Sequence, residues 1–112
     1  MREAEGFVSL AEAVGQGRLS AADFKVLCRP LFRFSRCHFL SREEYVAARD
    51  LFFVSDDYWE REGDPPAGLL TADEVRVQAA EIAARLRSDM DDTERRIREH
   101  EARTEEPDDI TA

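Results

Sequence analysis

From residue 75 onward, apolar side chains recur at alternating steps of four and three: Val75, Ala79, Ile82, Leu86 and Met90. Such spacing falls along one side of an α-helix and scatters over both faces of a strand, so this segment is committed to a helix with one buried stripe. Thr71 with Glu74 opens it as a capping box, in which hydroxyl and carboxylate each close an amide that a helix start leaves unpaired. The signature recurs at Ser41 with Glu44 and, with aspartate in the acidic place, at Ser20 with Asp23. Helical spacing follows each: Phe24, Leu27, Cys28 and Leu31 after Ser20; Tyr45, Ala48, Leu51, Phe52 and Ser55 after Ser41, with Tyr58 a turn later. Phe7, Leu10, Ala11 and Val14 form an earlier set, stopped by Gly15 and Gly17. No segment alternates as a strand does and β-branched residues are sparse, so the fold class is all-α: a small antiparallel four-helix bundle with a long C-terminal helix.

Pro30 falls inside the second pattern, where it removes a donor and crowds the preceding turn. The expectation is a helix that stops or kinks near Cys28, with a second short piece around residues 31–37. The third helix should end before Gly63 and Pro65-Pro66. Beyond Met90 the apolar seam dwindles to Thr93 and Ile97. Four acid-before-base pairs take over (Asp91 with Arg95, Asp92 with Arg96, Glu94 with Arg98, Glu99 with Arg103), each worth about 0.2–0.5 kcal/mol on an exposed helix. They describe a solvated extension. The closing TEEPDDITA sets a proline among acids with almost nothing to bury and reads as disordered. The predicted organisation is a helical domain over 1–90 and a charged helical extension with a disordered tail over 91–112.

A chain of 112 residues suits one core. No apolar run approaches the roughly 20 residues that cross a bilayer. The opening MREAEGF carries two glutamates where a secretion signal is basic and then apolar, so a cytoplasmic protein without membrane contact is expected. Cys28 and Cys37 are accordingly expected to be reduced. The net charge of −9 is unevenly placed: residues 1–55 hold 8 basic and 7 acidic side chains, residues 56–112 hold 8 and 18. Phosphate contact needs cations, so a nucleic-acid partner is disfavoured and a basic one favoured.

The inventory for catalysis is thin. His38 and His100 are far apart in sequence, and His100 falls on the charged extension. Cys28, Cys37 and His38 are the only soft ligands, one short of a tetrahedral metal site. Neither a glycine-rich phosphate loop nor a GxSxG elbow is present. The expectation is a protein that is not an enzyme and has no metal, no cofactor and no catalytic residue. Lys25, Arg29 and Arg33, with Arg36 nearby, form a basic row that reads as a solvated face balanced by Glu43, Glu44 and Asp50.

The stretch FFVSDDYWEREGDPP differs in kind. Asp56, Asp57, Glu60, Glu62 and Asp64 crowd together with Arg61 as their only local cation, around Tyr58 and Trp59, the sole tryptophan. Carboxylates at the end of a helix face the negative pole of its dipole, so their accumulation there points to cations supplied from outside. Aromatic side chains amid exposed charge suit the centre of an interface. These seven residues are the candidate partner-binding site.

The run from Phe7 through LSAADF, then LFFVSDDYWEREGD, then LLTADEVRVQAAEIAARL resembles the colicin D type of bacterial immunity protein over roughly residues 7–87. The likeness lies in a small-residue turn before Asp23-Phe24, a Leu51-Phe52 pair followed by acids and aromatics, and Glu74-Val75 near the start of the last helix. What it implies is a small four-helix protein that neutralises a transfer-RNA-cleaving toxin, its acidic surface standing in for RNA phosphates over the nuclease's basic groove. By position the family's acidic patch falls on Asp56, Asp57, Glu60, Glu62 and Asp64, with Tyr58 or Trp59 in the contact. Arg29-Pro30, Arg36-Cys37 and the extension after Arg87 depart from the pattern. The expected state is a monomer. The rival reading is a helical adaptor that dimerises through the long C-terminal helix as a coiled-coil seam.

Overall fold

The computed structural model describes residues 2–35 and 38–104. Four helices follow in order: α1 (Glu3–Gly15), α2 (Ala21–Ser35), α3 (Arg42–Asp56) and α4 (Ala72–Thr104). Their shared core holds most of the expected stripes, with Phe7, Ala11 and Val14 of α1, Phe24 and Cys28 of α2, Ala48 and Leu51 of α3, and Val75, Ala79, Ile82, Leu86 and Met90 of α4 all buried, and Leu10 and Leu31 partly buried against them; Leu27, expected on the α2 stripe, is exposed instead. Each fully buried Phe or Leu contributes about 1.5–3 kcal/mol, so this stripe set dominates the stability. In α3 the expected Ala48, Leu51 and Ser55 are buried and are joined by Ala47 and Val54, whereas Tyr45 and Phe52, also expected inward, are half-exposed.

The capping boxes form to different degrees. Thr71 and Glu74 make the reciprocal pair, the Thr71 amide donating to Glu74 Oε1 at 2.9 Å and the Glu74 amide to Thr71 Oγ1 at 3.1 Å. Ser41 and Ser20 accept from the amides of Glu44 and Asp23, both at 3.1 Å. The Glu44 side chain, however, turns inward. It is buried and clasped by Arg2, whose Nη2 donates to both of its oxygens while Nη1 reaches Glu94 Oε1 at 3.0 Å. One guanidinium thus joins the start of α1, the start of α3 and the far part of α4.

α2 is corrected from a broken helix to a continuous one that carries Pro30 in its interior. Interior proline costs about 3 kcal/mol, and the side chains beyond it supply the compensation. Leu31 packs on Gly6, and Phe32 stacks on Phe52 at 5.1 Å, meets Phe7 edge-on at 6.3 Å and Tyr45 at 5.9 Å. Aromatic pairs add roughly 0.5–1.5 kcal/mol each beyond the area they bury, so the three contacts of Phe32 together offset a cost of the proline's order. Of the short piece expected over 31–37, residues 31–35 belong to α2, and 36 and 37 lie outside the described residues.

The segment after Met90 is corrected in its first part only, since residues 95–103 are helical and exposed as a solvated extension would be. Thr93 is buried, Glu94 is held by Arg2, and Arg96 reaches Glu43 at 3.4 Å, so the helix stays tied to the bundle as far as residue 96. None of the four predicted i, i+4 pairs forms among the described residues; Arg95 instead sits between Asp92 at 3.4 Å and Glu99 at 3.9 Å. The TEEPDDITA tail, apart from the backbone of Thr104, lies outside the described residues.

α1 and α4 pack closely at Gly15, where an added Cβ would lie 2.9 Å from the Ala80 Cβ and 3.1 Å from its Cα. Arg87 fastens the same two helices through a double hydrogen bond to Glu12 at 2.6 and 2.8 Å, which holds the Glu12 carboxyl below the usual carboxylate range. Gly15→Ala is expected to destabilise the protein by about 1–3 kcal/mol in urea denaturation, because backbone must move to admit the methyl group. Arg2→Met should cost roughly 3–5 kcal/mol by leaving Glu44 buried without a partner. The double variant Arg2→Met, Glu44→Leu should recover most of that loss, a non-additivity that a double-mutant cycle reads directly.

Candidate functional site

The acidic turn leaves α3 at its last residue, Asp56, and is held at two points. Asp57 caps the helix through its own amide, which donates to the Phe53 carbonyl. Tyr58 and Leu70 then form a parallel bridge, with the Trp59 amide donating to Leu70 O at 2.9 Å and the Leu70 amide to Asp57 O at 2.8 Å. Gly68, at φ +90, supplies the left-handed residue that turns the chain between Pro66 and Leu69 and so brings Leu70 back beside Tyr58. The turn is therefore anchored at both ends, while Glu60, Arg61, Glu62 and Asp64 project from it into solvent.

The two aromatic residues divide between core and surface. Tyr58 is half-buried against the hydrophobic core. Trp59 is half-exposed, with the Arg61 guanidinium over its ring at 5.8 Å and its indole N–H enclosed without a partner.

The expectation that the acids lack cations within the chain is corrected for two of them. Arg29 donates to Asp56 at 3.0 Å, and Lys25 lies 3.6 Å from Glu60. Lys25 also donates to the carbonyls of Asp56 at 3.4 Å and Tyr58 at 3.2 Å. An ammonium group thus stands at the negative pole of α3, which explains how carboxylates are tolerated at that end. The basic row is corrected by the same observation. Its first two members face Asp56 and Glu60, while Glu43, Glu44 and Asp50 are taken by Arg96, Arg2 and Arg85. Asp57, Glu62 and Asp64 have no cation within 4 Å among the described residues. These three are the part of the predicted site whose charge is available to a partner.

Sequence reasoning missed a groove of mixed character beside the turn, where Phe53 and Val54 of α3 and Leu70, Val77 and Ile82 share the lining with Asp50, Asp57, Gln78, Glu81 and Arg85. Its signal was present in Phe53 and Val77, apolar residues standing off the predicted stripes. The seam required by the adaptor reading is occupied within the molecule: Val75, Ala79, Ile82, Leu86, Met90 and Thr93 all face the bundle, and Ile97 is left partly exposed. No group of three or more potential metal ligands occurs among the described residues, and no helix there is long and apolar enough to cross a membrane. Compared with models of protein families, with curated proteins and with solved structures, the chain matches none.

Cys28 is fully buried, and burial pushes its thiol up to about 11 against a smaller opposing effect from the hydrogen bond with Ser55. Thiolate is the reactive form, so native Cys28 is inert at neutral pH. In a Cys37→Ser background, iodoacetamide at pH 8 should leave Cys28 unmodified in the folded protein and label it fully in denaturant; mass spectrometry separates the two outcomes.

Proposed function

We propose that this protein is an immunity protein that binds a basic toxin domain, a ribonuclease acting on transfer RNA, and inhibits it by occupying its substrate groove. It performs no chemistry and acts in the cytoplasm as a monomer. The observation that carries this reading is a set of three carboxylates with no cation within 4 Å among the described residues, Asp57, Glu62 and Asp64, on a turn anchored at both ends. A nuclease groove lined with arginine and lysine accepts phosphates, and carboxylates on a folded surface compete for the same cations. Anchoring matters because a loop already held in shape loses less entropy on binding. The resemblance of residues 7–87 to the colicin D type of immunity protein supports the same partner class.

Asp56 and Glu60 take a secondary place in this reading. Their charge is shared with Arg29 and Lys25, so they shape the local field rather than present free carboxylates. Trp59 is the aromatic side chain suited to the contact, since it is part-exposed and braced by Arg61.

Complementary fields raise association rates toward 10⁸ M⁻¹s⁻¹ or above at low salt, roughly a hundredfold over neutral partners, which lets an inhibitor capture toxin before it acts. Replacing Asp57, Glu62 and Asp64 by their amides should slow association with the cognate toxin domain by about tenfold and flatten its dependence on ionic strength. Stopped-flow fluorescence of Trp59 measures both. Rates and salt dependence unchanged by all three substitutions would refute the assignment of this face.

A further inference from the structure

The groove between α3 and α4 has a defined frame. Val54 and Ile82, both nearly buried, line it, while Phe53 and Val77 stand beside them at 50% and 58% exposure. Arg85 and Asp50, ion-paired at 2.6 Å, line one end, and Asp57 and Leu70, joined through the backbone at 2.8 Å, line the other. Along α4 the lining runs from Val77 to Arg85, about 12 Å at the helical rise and so roughly two helical turns.

Its charge excludes some occupants. Arg85 is the only cation lining the groove and is already engaged by Asp50, whereas Asp57 and Glu81 have no cation within 4 Å among the described residues. An acidic segment, including this chain's own EEPDD, would meet repulsion there. A cationic segment would gain ion pairs with Asp57 and Glu81 while covering Phe53 and Val77.

We propose that this groove is a docking site for a basic amphipathic helix of a partner protein. Apolar side chains on one face of that helix lie against Phe53, Val77 and Ile82, and its arginines or lysines reach Asp57 and Glu81. This is helix-in-groove recognition, in which anchors one turn apart fill the apolar floor and flanking charges fix direction. The inference shares with the functional reading the sign of the partner's charge and one residue, Asp57; the rest of its surface lies apart from the Glu60–Asp64 turn and adds an apolar requirement that phosphate mimicry does not have.

The test uses the full ¹⁵N-labelled chain and a synthetic helical peptide of about 14 residues, roughly four turns, with leucines on one face and arginines on the other. A scrambled peptide of identical composition serves as the control. Binding of the amphipathic peptide should shift the amides of Phe53, Val54, Val77 and Gln78 and exceed that of the scrambled peptide by about tenfold. Val77→Asp should weaken it by a similar factor even though the added carboxylate favours a cationic ligand, and Phe53→Ser should do the same, with circular dichroism confirming that each variant folds. Equal binding of the scrambled peptide, shifts confined to residues 60–64, or a Val77→Asp variant that binds as tightly as the original would overturn the proposal. So would a concentration-dependent dimer abolished by Val77→Asp, which would assign the groove to a second copy of the chain. Amide substitution at Glu62 and Asp64 reads the functional proposal separately, since neither residue lines the groove.

Discussion

The clasp of Arg2 on buried Glu44 is the constraint on which the bundle's geometry turns. A carboxylate removed from water is tolerable only if its charge is met at close range, and Arg2 meets it with one nitrogen on both oxygens while a second nitrogen holds Glu94. The three helices so joined are remote in sequence, and the contact holds only while Arg2 reaches Glu44 and Glu94 together. Apolar stripes alone would allow neighbouring helices to slide or rotate by part of a turn. The ion triad, lying at one end of the bundle, ties the start of α1 to α3 and α4, and the close approach of Gly15 to Ala80 sets the spacing at the other end of α1.

A second electrostatic choice shapes the surface. Lys25 lies at the C-terminal end of α3, where it meets two backbone carbonyls and the Glu60 carboxylate together. Without it, the helix dipole and Asp56, Asp57 and Glu60 would all repel one another at the same point. With it, the cluster separates into two populations: carboxylates that complete the fold, Asp56 and Glu60, and carboxylates with no cation within 4 Å among the described residues, Asp57, Glu62 and Asp64. Net charge by itself conceals this distinction, because an acid already neutralised at 3 to 4 Å contributes little field at the distance of an approaching partner.

The all-α class, the number of helices and most of the core could be read from spacing, since the 3.6-residue period leaves its mark directly in Val75, Ala79, Ile82, Leu86 and Met90. Two readings failed where tertiary contacts outweighed local rules. Pro30 is a strong breaker in isolation, yet Phe32 beyond it is locked among Phe7, Tyr45 and Phe52, aromatic residues whose nearness no local pattern records. The acids after Met90 form matching pairs on a helical wheel, yet Glu94 and Arg96 find partners on α1's cap and α3 instead. For the candidate site, the sequence located the turn but not the division of its charges. Lys25 and Arg29 precede Asp56 by about thirty positions, and only the packing of α2 against α3 brings them within reach.

The groove and the turn together bear on how such a surface discriminates among basic partners. Carboxylates at the positions of Glu62 and Asp64 attract any cationic surface and mainly accelerate encounter. An apolar floor of Val54 and Ile82 edged by Phe53 and Val77 rewards only a partner that brings matching apolar side chains, and it acts after encounter, through the rate of dissociation. Asp57 belongs to both regions, lying on the turn and lining one end of the groove. A ligand that uses both surfaces must therefore place a cation at Asp57 and an apolar side chain about one helical turn away. That joint requirement is narrower than charge complementarity alone, and a polyanion-binding protein without an apolar face would satisfy only its electrostatic half.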